Sequence, residues 1–303
     1  MMIIIARALG FAGIILLGYL LKKRGVFNRE NGLFLGKIIV NITLPCALIS
    51  AANSIEISMQ SLMIVLIGLL ANIVVVLFSW FRFRKDLPKK KALAMLNMPS
   101  YSIGTFAMPF VQSFFPASYL TYVCLFDIGN SIMCLGGTYA VASLISNPEE
   151  KMTLKGIGYK LLSSMPFCTY LLIVSFRMAG FTVPEAILSV TTIAGNANPF
   201  LCMFMMGLMV EIHLSRQDRT FVKEILIWRY ILTAAFAIAM YCSVPLEFNV
   251  KKTILIMLSA PIAQMSPIFS LKIEPESAVP AATMSISILI SVIVMTSLVI
   301  CLS

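Results

Sequence analysis

The chain has 303 residues, of which 59% are hydrophobic and only 12% are charged. A soluble domain carries roughly 25% charged residues because its surface faces water, so this composition excludes a soluble protein and predicts one surrounded by lipid. The net charge of +10 does not indicate a nucleic-acid-binding protein, because the basic residues lie in short clusters between long apolar runs.

Ten stretches of the chain are long and apolar enough to cross a membrane, which takes about 20 mostly apolar residues. In chain order, spans 1 to 10 are predicted at residues 2–21, 32–52, 58–81, 92–115, 118–146, 158–179, 184–212, 224–242, 252–271 and 278–301. The connections between them are short and polar. The sequence therefore predicts an all-α polytopic membrane protein of ten transmembrane helices, without a separate soluble domain.

The basic residues near the ends of the spans indicate how the chain is oriented in the membrane. Seventeen of them lie around the connections that follow the odd-numbered spans, and the first of these connections holds Lys22, Lys23, Arg24 and Arg29. Only four lie at the opposite ends, namely Arg7, Arg177, Lys251 and Lys252. Because cytoplasmic connections are enriched in lysine and arginine, both termini are predicted to lie outside.

The two halves of the chain resemble each other in their interruptions. With five spans in each half, residues 157–303 would form an inverted copy of residues 1–147, an arrangement common among secondary transporters. The prolines at corresponding places are Pro45 in span 2 and Pro199 in span 7, with Pro99 and Pro109 in span 4 and Pro261 and Pro267 in span 9. Because proline removes a backbone donor and clashes with the preceding turn, we expect helix breaks at Pro45, Pro199 and Pro267. The alternative is a set of kinks that membrane helices tolerate without a functional reason.

Spans 4 and 9 carry small and polar residues around their prolines. If both spans unwind at mid-depth, two half-helix N-termini converge there, and their partial positive charge favours an anionic substrate. The residues predicted to line this crossing are Ser102, Gly104, Thr105, Pro109, Pro261, Ala263, Gln264 and Ser266. The alternative is that these residues are small only so that neighbouring helices pack closely.

Asp127 lies about nine residues inside span 5, near the middle of the hydrocarbon layer. A charged aspartate at a helix centre costs about 2.5–3.5 kcal/mol on insertion scales, so its side chain must face protein or water. Two interpretations are open: a proton or cation site, or a structural hydrogen bond to a backbone donor that a helix break exposes. The polar network predicted with it comprises Asn130, Asn41, Asn196 and Asn198. Lys37 and Arg229 lie one to two turns from the cytoplasmic ends of their spans, so their side chains are expected to extend to the interface.

The sequence shows no arrangement typical of an enzyme or a metal site. Its seven cysteines are scattered singly, without CxxC or Cys/His spacing. The single histidine, His213, has no serine, cysteine or carboxylate partner at catalytic spacing. We therefore expect no enzyme activity, no metal and no cofactor.

Five short motifs give the chain a resemblance to a known family. They are Asn41-x-x-Leu44-Pro45, Gly104-x-x-Ala107-x-Pro109, Asp127-x-Gly129-Asn130, the Asn198-Pro199 stretch and Ala260-Pro261-x-Ala263. In this order the chain resembles, over essentially its whole length, the bacterial branch of the auxin efflux carrier family, which is related to the plant PIN-FORMED proteins. The chain has Ser102 where that family commonly has asparagine, and Ala107 where glycine is usual.

The resemblance implies a fold similar to that of sodium–proton antiporters and bile-acid/sodium symporters. Spans 1, 2, 6 and 7 would form a scaffold, and spans 3–5 and 8–10 a transport domain that moves like an elevator and carries the crossing with it. Bacterial members look like carriers of malate, malonate and similar carboxylates. By the same resemblance we expect a bacterial cytoplasmic (inner) membrane protein and a homodimer.

The leading hypothesis from the sequence is a secondary transporter for a small organic anion, with the anion and the lipid bilayer as partners. One alternative is a sodium-coupled symporter of the bile-acid type, for which Asp127, Asn130 and Gln264 would supply oxygen ligands at the crossing. Coupling to protons, to sodium or to neither is open. A third hypothesis, a membrane interaction protein that transports nothing, would usually come with an extramembrane domain.

Overall fold

The computed structural model describes residues 2–54, 59–146, 153–211 and 215–302, and every regular element in these ranges is helical. His213 lies outside the described residues. The α-helices of the described ranges are α1 Met2–Lys23, α2 Arg29–Ile38, α3 Leu44–Ser50, α4 Met59–Arg82, α5 Pro88–Asn97, α6 Met108–Phe114, α7 Tyr119–Ile132, α8 Thr138–Ser146, α9 Leu154–Leu162, α10 Met165–Met178, α11 Glu185–Met209, α12 Arg216–Ser243, α13 Phe248–Leu258, α14 Met265–Ile273 and α15 Val279–Leu302. A 3₁₀ turn follows α3 at Ala52–Ser54.

Within the described residues, seven helical segments are each long and apolar enough to cross a membrane, and they include α1, α4, α11, α12 and α15. The helices α9 and α10 meet the same criterion only as a pair, and they are bent by 77° relative to each other. Pro166 near the start of α10 explains the bend, because proline cannot continue the preceding helix. The protein is therefore an all-helical polytopic membrane protein, as the composition predicts. Predicted spans 4 and 9 each contain two shorter helices, α5 with α6 and α13 with α14.

Three π-helical turns adjoin the α-helices of the described ranges, at Ile39–Thr43, Ile103–Ala107 and Met133–Gly137. Pro45 and Pro109 each follow one of the first two turns by two residues. In both turns the amide just before the proline donates to a carbonyl five residues earlier rather than four. The wider turn leaves room for the proline ring, which would clash with the preceding turn of an α-helix.

The prolines expected to break helices behave in three different ways. Pro199 does not break its helix, since α11 runs without interruption from Glu185 to Met209, and that prediction was wrong. The carbonyl that loses its donor at Pro199 is that of Gly195, which accepts a hydrogen bond from the Gln112 side-chain Nε2 at 3.2 Å. Pro45 also interrupts no span, because the π-helical turn before it keeps α2 and α3 continuous. Pro267 is the third residue of α14, directly after a real break.

Close helix packing depends on glycine at two long contacts. Where α1 packs on α11, a Cβ atom on Gly18 would lie 3.2 Å from the Cα of Gly207. Where α4 packs on α7, a Cβ atom on Gly129 would lie 2.8 Å from the Leu69 amide nitrogen. Membrane helices approach this closely only through small residues, because lipid provides no hydrophobic force that would push them together. These contacts define a helix pair around α1 and α11 and a second pair around α4 and α7.

Candidate substrate site at the helix crossing

Two breaks in the helices meet inside the protein. One comprises residues 98–102, between α5 and the second π-helical turn, and the other comprises residues 259–264, between α13 and α14. The Ser102 amide donates to the Pro261 carbonyl at 2.8 Å. This bond joins the two stretches that the sequence predicts to cross, and we call residues 98–105 together with 259–264 the crossing.

Two asparagines hold the first break in place. Ser100 has a φ of 69°, in the left-handed region that is uncommon for residues other than glycine. Its amide donates to the Asn72 Oδ1 at 2.7 Å. Asn130 binds both backbone groups of Tyr101, accepting from its N–H at 3.2 Å and donating to its carbonyl at 3.0 Å. Asn72 also donates to the Asn130 Oδ1, so α4 and α7 satisfy the backbone groups that the break exposes.

Asp127 lies one turn before Asn130 on α7 and is 7% exposed. Its Oδ1 accepts from the Asn130 Nδ2 at 2.9 Å, and its Oδ2 accepts from the Tyr170 hydroxyl on α10 at 2.7 Å. These donors are side chains, not backbone groups of the break. Asp127 is therefore connected to the crossing through Asn130, and to the opposite helix through Tyr170.

Arg229 on α12 contacts both breaks, although the sequence predicts no site role for it. Its guanidinium donates to the Met98 and Pro99 carbonyls of one break and to the Ala260 carbonyl of the other. The side chain is 1% exposed and lies 4.9 Å from the centre of the Tyr101 ring, a cation–π distance. Among the residues that the structure describes, no carboxylate lies within 4.0 Å of it.

Span 8 is predicted to start at residue 224, which places Arg229 one to two turns from its cytoplasmic end and lets the side chain extend to the interface. The structure shows that the side chain points inward instead, since its guanidinium contacts carbonyls of both breaks. The sequence feature that points to Arg229 is a single arginine within an otherwise apolar run, because charged residues inside a membrane span usually mark functional positions. Asn72, an amide inside the apolar α4, carried the same signal.

The crossing has further polar side chains, of which Ser102 is buried and Thr105 and Gln264 are half-buried. The Ser102 and Thr105 hydroxyls lie 2.8 Å apart, within hydrogen-bond distance of each other. The Gln264 Nε2 lies 3.4 Å from the Met205 sulfur of α11, a weak acceptor. Gly104 lies between Leu44 of α3 and the Asp127 carboxylate, since a Cβ there would be 2.8 Å from the Leu44 Cδ2 and 3.8 Å from the Asp127 Oδ2.

The remaining predicted residues lie around the crossing or away from it. Ala263 and Ser266 are buried, and the Ser266 amide donates to the Ala263 carbonyl in the turn that starts α14. Pro109 is buried at the second position of α6. The structure thus brings Ser102, Gly104, Thr105, Pro261, Gln264, Asp127 and Asn130 to one region.

Asn41 and Asn196 do not join the polar network, contrary to the prediction. Asn41 is exposed and donates to the Lys37 carbonyl of its own helix. Asn196 is exposed because it lies two residues from the buried Asn198 in a continuous helix, which places the two side chains on different faces. Asn198 accepts from the Thr43 hydroxyl at 3.0 Å and so joins α11 to the first π-helical turn rather than to Asp127.

The comparison with known proteins identifies a family for the chain. The model of the family described as membrane transport protein matches residues 8–299. A search of curated proteins finds no match. The match covers nearly all of the chain, including both breaks of the crossing. The chain therefore belongs to the membrane transport protein family, whose members are auxin efflux carrier-like.

Proposed function

We propose that the protein is a secondary transporter that binds a small organic anion, a carboxylate, at the crossing. Arg229 is the observation that carries this proposal, because a buried guanidinium contacts both breaks and has no carboxylate within 4.0 Å among the described residues. Membership of a transporter family supplies the reaction class, and the charge at the crossing supplies the substrate class.

The charge argument starts from the cost of burying an ion. Removing a guanidinium from water costs several kcal/mol, even after the surroundings relax. The carbonyls of Met98, Pro99 and Ala260 offset part of this cost, because hydrogen bonds to charged groups contribute roughly 1.5–3 kcal/mol each. Carbonyls carry no net charge, so the hydrogen-bond partners of Arg229 do not neutralise it. The Asp127 carboxylate lies on the α7 side of the crossing, where the Asn130 amide and the Tyr170 hydroxyl donate to it. In surroundings of low dielectric the guanidinium charge attracts an anion that enters the Arg229 side of the crossing, without direct contact being required.

Hydrogen-bond donors at the crossing suit a carboxylate as well. Within the described part of the chain, the amides of Gly104 and Thr105 have no helical turn before them to accept their hydrogens. When the Ser102 and Thr105 hydroxyls bond to each other, only one of their two hydrogens is used, and the second remains available. The Gln264 amide adds a donor with only a weak sulfur acceptor. Donors of this kind form strong hydrogen bonds to ionised oxygens.

The transport movement is proposed from the arrangement of the helices. We assign the helical segments to ten spans in two inverted repeats, residues 1–147 and 157–303, with α5–α6 as span 4 and α13–α14 as span 9. The corresponding breaks of these two spans support the assignment. A scaffold of spans 1, 2, 6 and 7 and a transport domain of spans 3–5 and 8–10 would slide past each other, with both termini outside. The close contacts of α1 with α11 and of α4 with α7 lie within these two groups and support their rigidity.

Ligand-dependent thermal stability of the purified, detergent-solubilised protein tests the proposal. Malonate, malate and indole-3-acetate are the anionic probes, and choline and glucose are the cationic and neutral controls, each with and without sodium at two pH values. A ligand that binds the folded state stabilises it by about 2.7 kcal/mol at a hundred times its dissociation constant. We expect at least one carboxylate to raise the melting temperature and the controls to leave it unchanged.

A pair of matched variants locates the binding site. Thr105→Val removes a hydroxyl at the crossing, whereas Thr192→Val removes one on the exposed face of α11 that only bonds to its own helix. Thr105→Val should reduce the affinity for the carboxylate about tenfold, and Thr192→Val should leave that affinity unchanged. Stabilisation by choline instead of carboxylates, or undiminished carboxylate binding by Thr105→Val, would overturn the proposal.

A further inference from the structure

We propose that an anionic phospholipid of the inner leaflet binds in a groove between α1 and α15. The groove has a volume of about 820 Å³. Its apolar walls are Ala12, Ile15 and Leu16 of α1 and Leu289, Val292 and Ile293 of α15, and its polar end is formed by Tyr19, Lys22, Lys23 and Glu211. This inference depends on the predicted orientation of the chain and not on the identity of the transported substrate.

From its polar end to its apolar end, the groove spans about the depth of one leaflet. From Ala12 to Lys23 the helix rises over eleven residues, which is about 16 Å. Half of a hydrocarbon layer of about 30 Å is about 15 Å. Leu16 and Ile293 are 54% and 68% exposed, so the groove is open towards lipid along its apolar part. An acyl chain lying between α1 and α15 would cover both side chains.

The charges at the polar end select the headgroup. Glu211 is paired with Lys22 at 3.9 Å and with Arg29 at 3.4 Å. Lys22 also donates to the Val210 carbonyl. Lys23 is exposed, and no carboxylate of the described residues lies within 4.0 Å of it. Two lysines and an arginine thus surround one glutamate, which leaves positive charge where the positive-inside rule places the inner membrane surface.

The position of the groove gives the lipid a mechanical consequence. One wall, α1, belongs to the proposed scaffold, and the other, α15, belongs to the proposed transport domain. A lipid that contacts both walls would stabilise the arrangement of the two groups seen here. A second copy of the chain is a competing occupant, but it would have to place acidic groups against Lys22 and Lys23.

The experiment compares two lipids that differ only in their headgroups. Phosphatidylglycerol and phosphatidylcholine with identical acyl chains are added to the detergent-solubilised protein, and melting temperature and native mass are measured. We expect phosphatidylglycerol to bind more tightly and to remain attached in the mass spectrum of the monomer. Lys23→Gln should reduce that preference about fivefold, since one basic residue near a membrane surface contributes on this scale. Lys85→Gln, an exposed lysine of another cytoplasmic connection, is the matched control and should keep the preference.

A second variant tests the apolar wall without touching the charges. Val292→Trp fills the groove and should weaken the binding of both lipids. Val74→Trp, on the exposed surface of α4, should leave the binding of both unchanged. Equal binding of the two lipids, or a preference that Lys23→Gln leaves intact, would refute the proposal. So would a dimer in the native mass spectrum that Val292→Trp separates into monomers, because the groove would then hold a second copy.

Discussion

Arg229 is the largest of the fully buried side chains in the described part of the protein. Its planar guanidinium can reach carbonyls on two separate chain breaks at once, which a compact lysine ammonium on a flexible stem would do less well. The carbonyls of residues 98, 99 and 260 belong to backbone that has left the helices, so they depend on this side chain for a donor. At the residue scale, Arg229 is therefore both a structural clamp and a source of charge.

Arg229→Met tests the structural part of this role. The substitution keeps an unbranched side chain but leaves three buried carbonyls without their donor, and each unsatisfied group costs about 1–3 kcal/mol. We expect a loss of about 3 kcal/mol, measured as a lower melting temperature of the detergent-solubilised protein. Arg219→Met, an exposed arginine of the same helix, should change the stability by less than about 0.5 kcal/mol. Equal melting temperatures for the two variants would show that the carbonyls do not need the guanidinium.

At the residue level, the sequence shows which polar residues lie within a span but not where their side chains point. Asp127 and Asn130 could be singled out because a carboxylate or an amide inside a span requires a partner, and in the structure they contact each other. Arg229 was expected to extend to the interface because it lies near the predicted start of span 8, and the sequence does not show that its side chain contacts the two breaks. The sequence could not predict that Tyr170 is the partner of Asp127, because no sequence pattern indicates where the hydroxyl of a tyrosine in an apolar helix points.

At the scale of elements, the first two π-helical turns touch each other. Gly104 of one faces Leu44, the residue that follows the other, and a Cβ on Gly104 would lie 2.8 Å from the Leu44 Cδ2. In the proposed elevator, Gly104 belongs to the moving group and Leu44 to the scaffold. A large side chain at residue 104 would therefore obstruct the sliding contact while leaving the helices themselves intact.

Gly104→Leu should abolish uptake of the transported carboxylate into proteoliposomes without preventing membrane insertion. The double variant Gly104→Leu with Leu44→Ala exchanges the volumes across the contact and should restore part of the uptake. Gly13→Leu is the control, because a Cβ on Gly13 meets no atom within 4 Å. If Gly104→Leu transports normally, or if Leu44→Ala restores nothing although the protein is inserted, the sliding contact is not at this position.

At the element level, the sequence predicted where helix occurs and two of its interruptions, but it did not show which prolines leave a helix continuous. The ten apolar stretches all contain helix in the structure, because a long apolar run in lipid must satisfy its backbone internally. The breaks at residues 98–102 and 259–264 overlap the predicted proline-containing stretches. Pro199 and Pro45 were indistinguishable from breaking prolines in the sequence. The helix continues through Pro199 because a side chain of α6 donates to the carbonyl that the proline leaves without a partner. It continues through Pro45 because a π-helical turn precedes that proline. The first depends on a tertiary contact and the second on local backbone geometry, and the sequence shows neither.

At the scale of the whole molecule, the Tyr170 hydroxyl and the Asp127 carboxylate form a buried hydrogen bond between the two proposed helix groups. Tyr170 on α10 belongs to the scaffold, and Asp127 on α7 belongs to the transport domain. A displacement of one group against the other must break this bond, which is a strong one because its acceptor is a carboxylate. Its presence therefore favours the arrangement described here over any displaced one.

Tyr170→Phe should shift the population towards a displaced arrangement by about tenfold or more, because hydrogen bonds to charged groups contribute roughly 1.5–3 kcal/mol and 1.4 kcal/mol is tenfold. Cys124 reports this shift, since it is 2% exposed on α7, one turn before Asp127 on the helix that packs against α10. Alkylation of Cys124, followed by mass spectrometry, should accelerate about tenfold in Tyr170→Phe, while the exposed Cys242 and Cys301 react as before and serve as internal standards.

The control variant Tyr159→Phe removes an exposed hydroxyl from α9 and should leave the alkylation rates of all three cysteines unchanged. Faster alkylation at every cysteine would indicate general loosening, and an unchanged rate at Cys124 would mean that the two groups do not separate along α7 and α10. Selective acceleration at Cys124 would identify the Tyr170–Asp127 bond as one that transport must break and form again in each cycle.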